Sequence, residues 1–416
     1  MKIKVPYGKE YQEVTVEDAR VLGVVEPNPV PRRDEEKLFH EALAAPLGGP
    51  AFDAFVADAR DLLVIINDAT RPTPTARVMD FLVPVLSRVR EKVTLIVATG
   101  IHRAPTEDEY RQMLGRHYGE WRARTIAHDS RKDEEMVSIG RSKQGTEMSV
   151  NRRGVEAHKI VVIGSVEPHY FAGFTGGRKA FLPGIASYHT IEQNHKHALR
   201  LEARSLALDG NPVHEDMIDA LGTIAQKPIF SIMTVLDRDH HVYAVTAGDI
   251  HRSFYAAIEA ANEVFAVKVP GRAAVVVTVA PYPMDIDLYQ SQKALDNGKL
   301  ALQEGGILIL VSKCRTGVGE EAFLELLSSA PTPQGVLEKL GHGYRLGYHK
   351  AGKMAEIALT SEMWGVTDLD PGILKKIFIT AKPTVQQAVD EALRKKGPDA
   401  KVLFLTSGSI TVPLVP

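Results

Sequence analysis

The stretch LLVIINDATRPTPTARVMDFLVPVLSRVREKVTLIVATGIHRAP, residues 62–105, decides the fold class. It holds two short β-branched runs, Leu62 to Ile66 and Val93 to Ala98. Each run ends in a polar loop, NDATRPTP and then TGIHRAP, and an amphipathic helix is expected from Thr75 to Val89 between them. A continuous apolar run has no polar face, so such a strand is buried on both sides, as in a parallel sheet covered by helices. A third unit, Ile160 to Ile163, ends in GSVEPHYFAGFTGGRKAFLPG, residues 164–184. Loops that leave the ends of buried parallel strands are where α/β proteins carry chemistry.

Working outward, residues 1–25 alternate around Pro6, Tyr7 and Gly8 as a hairpin, and residues 26–36 form a Pro-rich charged connector. Helices are expected at 38–43 and 52–60, over 187–222, and from Ser253 to Phe265. A strand pair is expected at 228–247 around the turn DRDHH. Residues 121–158 carry no clear pattern. Pro270 and Gly271 mark a boundary, after which the design restarts with Ala273–Ala280, Gly306–Val311 and Val402–Leu405. The expectation is two α/β domains with mostly parallel sheets, residues 1–269 and 270–416, and a cofactor or substrate cleft between them.

Composition narrows the function. The chain has 416 residues, 44% of them apolar, and a net charge of -2, which gives no reason to expect nucleic acid or membrane binding. No signal-like segment opens the chain, and no apolar run approaches the ~20 residues that span a bilayer. Cys314 is the single cysteine, so there is no intrachain disulfide and no CxxC metal site. A cytoplasmic protein is expected.

The strand-end loops supply the candidates. Asp68, Thr70 and Arg71 follow the first strand. An Asp there accepts hydrogen bonds from ribose hydroxyls and an Arg holds a carboxylate or phosphate, while the plain alternative is a helix start capped by Thr75. His102 follows the second strand and His169 the third, and a histidine exchanges a proton near neutral pH. GFTGGRKA, residues 173–180, invites comparison with the phosphate-binding GxxxxGK[ST] loop but departs from it. Arg178 stands where the second glycine belongs, and Ala180 replaces the hydroxyl residue. Its glycines, Gly176 and Gly177 among them, allow close backbone approach to a ligand, and Lys179 is a candidate nucleophile or covalent anchor.

Three histidines, His189, His195 and His197, suggest a metal, but spacings of six and two do not put all three on one helical face. In YQSQKAL, Gln290 and Lys293 share a face if the segment is helical. Lys313 and Arg315 flank Cys314 and would lower its pKa, but no base partner is evident and the thiol is read as structural.

Taken together, DATRP (68–72), TGIHR (99–103), EPHYFAGFTGGRK (167–179), the histidine sixteen residues after that lysine, and YQSQKA (289–294) resemble the lactate racemase family. The resemblance implies a nickel-pincer nucleotide, a pyridinium mononucleotide bearing a thioamide and a thiocarboxylate. It would be attached covalently to Lys179, with His195 binding nickel; His189 and His197 receive no such assignment. It implies His102 and His169 as the paired acid/base groups. Asp68, Thr70, Gly176 and Gly177 would contact cofactor, and Arg71, Tyr289, Gln290 and Lys293 substrate. The implied reaction inverts a 2-hydroxy acid by hydride transfer through a planar 2-keto acid, and enzymes that make the cofactor are implied partners.

The substrate stays open among lactate, malate, 2-hydroxyglutarate and aromatic or sugar acids. Arg178 or Arg103 could serve the second carboxylate of a dicarboxylate, and Phe171, Phe174, Tyr289 and Trp364 could line an apolar pocket. A non-catalytic cofactor-binding protein is the alternative class. A nicotinamide-dependent dehydrogenase is disfavoured by the absence of GxGxxG.

Overall fold

The β-branched runs become two six-stranded sheets in the computed structural model, which describes residues 1–224 and 226–416. The chain divides into a central unit, Pro29–Val264, and a terminal unit made of Met1–Asn28 with Phe265–Pro416.

The sheet of the central unit runs in the order Val242–Gly248, Ile229–Leu236, Lys159–Ser165, Leu62–Asn67, Val93–Ala98, Thr125–Ala127. All neighbours are parallel except the first pair, which is the expected hairpin. Both faces are buried, as the unbroken apolar runs require. Leu62, Val64 and Ile66 join one core with Val78, Met79, Leu82 and Leu86 of the helix Thr75–Leu86, while Leu63 and Ile65 are buried on the other face. At roughly 1.5–3 kcal/mol for each buried aliphatic side chain, these layers hold the strand ends rigidly. In register, Asn67 faces Ala98 and Ile65 faces Val162, so the three loops after these strands leave the sheet at one end.

The sheet of the terminal unit is parallel throughout, in the order Ile379–Ala381, Glu362–Val366, Leu302–Val311, Ala273–Val279, Val402–Leu405, Val21–Val25. Val276, Leu308 and Leu403 pack on one side, and Val275, Ile307 and Phe404 on the other. The last strand corrects the boundary expected from sequence. Residues 1–28 do not belong with the segment that follows them, because Leu403, Phe404 and Leu405 pair with Gly23, Val24 and Val25. The hairpin Lys2–Tyr7/Glu10–Thr15 forms as expected and buries Ile3, Val5 and Val14 in the same core.

The helix expected through 187–222 is two helices, Tyr188–Lys196 and Pro212–Ile224. Pro212 cannot continue a helix but can begin one, and the Asn211 side chain accepts from Val213 N at 3.1 Å to start the second. The unpatterned residues 121–158 supply the edge strand Thr125–Ala127 and a hairpin, Met136–Arg141 with Glu147–Asn151. No helix among the described residues is long and apolar enough to cross a membrane.

Candidate active site

In the first strand-end loop Asp68 is buried and both of its oxygens are occupied. Oδ2 lies 2.6 Å from His102 Nδ1, and Oδ1 accepts from Thr70 N at 3.1 Å and Thr70 Oγ1 at 2.6 Å. Burial alone would raise this carboxyl, but the His102 hydrogen bond, the charge of Arg71 and the Thr70 hydroxyl overcome it and hold it down at about 2. A carboxylate so engaged fixes the proton of His102 on Nδ1 and leaves Nε2 with a free lone pair. The Thr75 cap does not form: Thr75 is already the first residue of the helix, and the capping position before it is Pro74, with no side-chain cap. Arg71 is half-buried, and no hydrogen bond or ion pair from the described residues holds its guanidinium.

The loops are tied to one another. Thr73 Oγ1 lies 2.9 Å from Ser165 Oγ, and Gly100 N donates to Gly184 O at 3.0 Å. Within the third loop the ring of Phe171 is a hub. His169 meets it edge-on at 4.5 Å and His195 at 5.1 Å, and Lys179 Nζ is 5.6 Å from its centroid. His169 and Lys179 of this loop and His195 of the following helix thus converge on one aromatic ring. His169 Nδ1 accepts from Ala172 N at 3.3 Å, which puts the proton of the neutral ring on Nε2. The two imidazoles are therefore set in opposite tautomers.

The other histidines of the cluster go elsewhere. His189 is exposed beside Glu147 at 3.6 Å, and His197 lies 4.0 Å from Asp216. The helix carrying His195 is fixed by the hairpin from the unpatterned segment. Ser187 N donates to Ser149 O and Ser149 N to Thr190 Oγ1, both at 2.9 Å. Among the described residues the one group of three acidic or histidine side chains close enough to share an ion is Asp237, Asp239 and His241, at the hairpin turn. That group does not include His195, whose ring meets Phe171 instead. One imidazole fits a metal whose remaining donors come from a bound cofactor, and does not fit a metal held by protein alone.

Gly176 and Gly177 are needed for a different reason from the one expected. Both have positive φ, 83° and 52°. A Cβ on Gly176 would lie 2.7 Å from Val166 Cγ2, and one on Gly177 would lie 2.9 Å from the Phe254 ring. The chain itself fills those spaces, so the glycines permit a tight fold over the sheet.

Several candidates are otherwise engaged. Arg103 forks onto Glu109 at 2.7 and 2.8 Å. Arg178 is 1% exposed, and Phe174 and Trp364 are likewise buried, Trp364 in the core of the terminal unit. Burial pushes the Cys314 thiol up to about 11, and its neighbours turn away, Lys313 toward Glu10 and Arg315 onto Asp285. The thiol is structural.

In the terminal unit YQSQKA opens the helix Leu288–Gly298, so Gln290 and Lys293 do share a face. Asp287 caps it, accepting from Gln290 N at 2.6 Å. Burial raises this carboxyl, against the Gln290 N–H and the charges of Lys350 and Lys293. Lys350, buried on the helix Tyr348–Thr360, donates to Tyr289 O and lies 3.7 Å from the Tyr289 ring centroid. Sequence reasoning misses Lys350, which is far from YQSQKA in the chain, and offers Phe171 only as a pocket wall, not as the ring on which His169, Lys179 and His195 meet.

The chain is similar to known proteins along nearly its whole length. Residues 7–206 match the lactate racemase N-terminal domain and residues 268–412 the lactate racemase C-terminal domain. The lactate racemase of Thermoanaerobacterium thermosaccharolyticum is 30% identical over 98% of this chain and 97% of its own. That of Lactiplantibacillus plantarum is 29% identical over 98% of each. The solved structure of the Thermoanaerobacterium lactate racemase apoprotein superposes with a TM-score of 0.93 at 29% identity, covering 100% of both chains.

Proposed function

The chain belongs to the lactate racemase family, whose named members are isomerases, and from that premise we propose that it inverts the α-carbon of a 2-hydroxy acid, lactate or a close relative. The proposed cofactor is the nickel-pincer nucleotide, tethered to Lys179 and bound through nickel by His195, and supplied by separate cofactor-making enzymes. When bound it offers a hydride acceptor, so the weakly acidic α-hydrogen need not leave as a proton.

The chain's own residues do the rest. His102 takes the substrate hydroxyl proton on Nε2, and the Asp68 carboxylate at Nδ1 stabilises the imidazolium that forms. His169 serves the opposite hand of the substrate, whose hydroxyl points to the other side. In its neutral ring Nδ1 accepts from Ala172 N and the proton sits on Nε2. Arg71 holds the carboxylate with its uncommitted guanidinium. Because Arg103 is paired and Arg178 is buried, neither is available to a second carboxylate, which favours a monocarboxylate such as lactate.

The observation that carries the reading is the convergence of His169, Lys179 and His195 on Phe171, beside an oriented Asp68–His102 pair. The test is to produce the chain together with the cofactor-making enzymes, verify the adduct by intact mass, and follow the chirality of single enantiomers of several 2-hydroxy acids. Inversion of lactate is expected. An intact adduct with no inversion of any substrate would favour the non-catalytic binding protein instead.

A further inference from the structure

In GFTGGRKA, residues 173–180, Arg178 is the charged side chain to which this chemistry gives no task. It is 1% exposed. Its Nη2 donates to Ala172 O at 2.7 Å, and its Nη1 to Gly176 O at 3.2 Å and Thr175 O at 3.5 Å. The guanidinium carbon lies 4.4 Å from the Phe254 ring centroid. No carboxylate of the described residues pairs with it, and its Nε is buried without a partner. Nearby, His214 stacks on the same Phe254 at 6.4 Å and is itself buried, with Nδ1 unpartnered. Burial, then the Arg178 and His251 charges, push His214 down to about 3, so it is neutral and offers no counter-charge.

A buried guanidinium without an acid is a poor choice for packing, where an apolar side chain of similar length costs less. Nor do the carbonyls of Ala172 and Gly176 depend on it. Ala172 O also accepts from Phe174 N at 2.9 Å, and Gly176 O from Lys179 N at 3.1 Å. What Arg178 alone does is geometric. Its planar fork draws carbonyls from both ends of the Ala172–Gly176 segment to one point, and the next residue in the chain is Lys179.

We propose that Arg178 is the positioning residue of Lys179: it pins the glycine loop from its buried side so that the lysine amine is presented for attachment to the cofactor, where a C–N bond to a thiocarboxylate carbon would form as the carboxyl oxygen leaves as water, giving the thioamide. The attachment part rests on the reading of Lys179 as the tether; the positioning part does not.

The decisive variant is Arg178→Met, which keeps the stem against Phe254 and removes the donors and the charge. Apo protein is incubated with purified nickel-pincer nucleotide and adduct growth is followed by intact mass, with Lys179→Ala as the blank. In parallel, Lys179 in cofactor-free protein is titrated with a trace amine-acylating reagent and its labelling is read by peptide mass against the other lysines. Adduct formation in Arg178→Met should slow on the order of tenfold or more, as a displaced reacting group does. The labelling rate of Lys179 should change while the other lysines keep theirs. The melting midpoint should stay within about 3 °C of wild type or rise, since an unpaired buried charge has gone. Arg178→Lys, which keeps the charge and some donors, should recover part of the adduct rate.

Wild-type rates of adduct formation and labelling in Arg178→Met would overturn the proposal. So would a loss of rate that merely follows a lowered melting midpoint in both variants, because that marks a structural residue. If wild type gains no Lys179-dependent mass, the tether reading fails; the labelling arm then still decides whether Arg178 positions the lysine.

Discussion

At the scale of single residues, the Asp68–His102 pair couples chemistry to stability. The Asp68 carboxyl is held at about 2 in the folded chain, below the ordinary carboxylate value of roughly 3.9. Its stabilisation is therefore complete above that ordinary value and is lost as pH falls through about 2. A shift of this size is worth about 2–3 kcal/mol. Asp68→Asn should flatten the fall in unfolding free energy between roughly pH 4 and pH 2, measured by urea titration at each pH. The same variant should lower the racemisation kcat by ~10²-fold or more, because an amide neither fixes the Nδ1 proton nor stabilises the imidazolium. Arg103→Ala gives the contrast. Its fork is spent on Glu109 and its side chain is 66% exposed, so KM for lactate should stay within about twofold of wild type and the melting midpoint should barely move. The members of the pair were legible one by one, since Asp68 and His102 each follow a buried strand. Their pairing was not, because it depends on how two loops thirty-four residues apart turn toward each other.

The glycine loop raises the same question at the scale of an element. Its position after a buried strand was legible from Ile160 to Ile163, but its internal logic was not. The sequence suggests glycines opened toward a ligand, whereas Gly176 and Gly177 sit against Val166, Ser165 and Phe254 of their own unit. Periodicity cannot report which neighbour fills a missing Cβ. Gly177→Ala should therefore act on stability first. A methyl 2.9 Å from the Phe254 ring, at a φ of 52°, should cost about 1–3 kcal/mol, read as a lower urea midpoint without any ligand present. A similar lesson comes from residues 187–222, where one helix is suggested although the first helix ends at Lys196 and DGNP, residues 209–212, starts the second. The turn chemistry of the restart was present and was overridden. His195, on the last turn of the first helix, meets Phe171.

Across the whole molecule, the alternation of strand, loop and helix was enough to give two α/β units with parallel sheets. It could not tell which sheet the first strand joins. Val21–Val25 carries no label for its partner, and a partner almost four hundred residues away is chosen by edge complementarity with Val402–Leu405. The consequence is a stability coupling that runs against sequence proximity. Ile3, Val5, Val14 and Val16 are buried among Val275, Ile307 and Phe404, at roughly 1.5–3 kcal/mol each. Removing residues 1–25 strips these side chains from that core and leaves the Val402–Leu405 strand as an open edge. Amide hydrogen exchange, read by peptide mass, should then speed up in Ala273–Val279 and Val402–Leu405 of the terminal unit. Protection in Leu62–Asn67 and Lys159–Ser165 should hold, although the deleted segment precedes them directly in the chain. Faster exchange in the central strands with the terminal ones unchanged would mean that the N-terminal segment belongs with the unit it adjoins in sequence. The pairing of Val24 with Phe404 predicts the opposite order of loss.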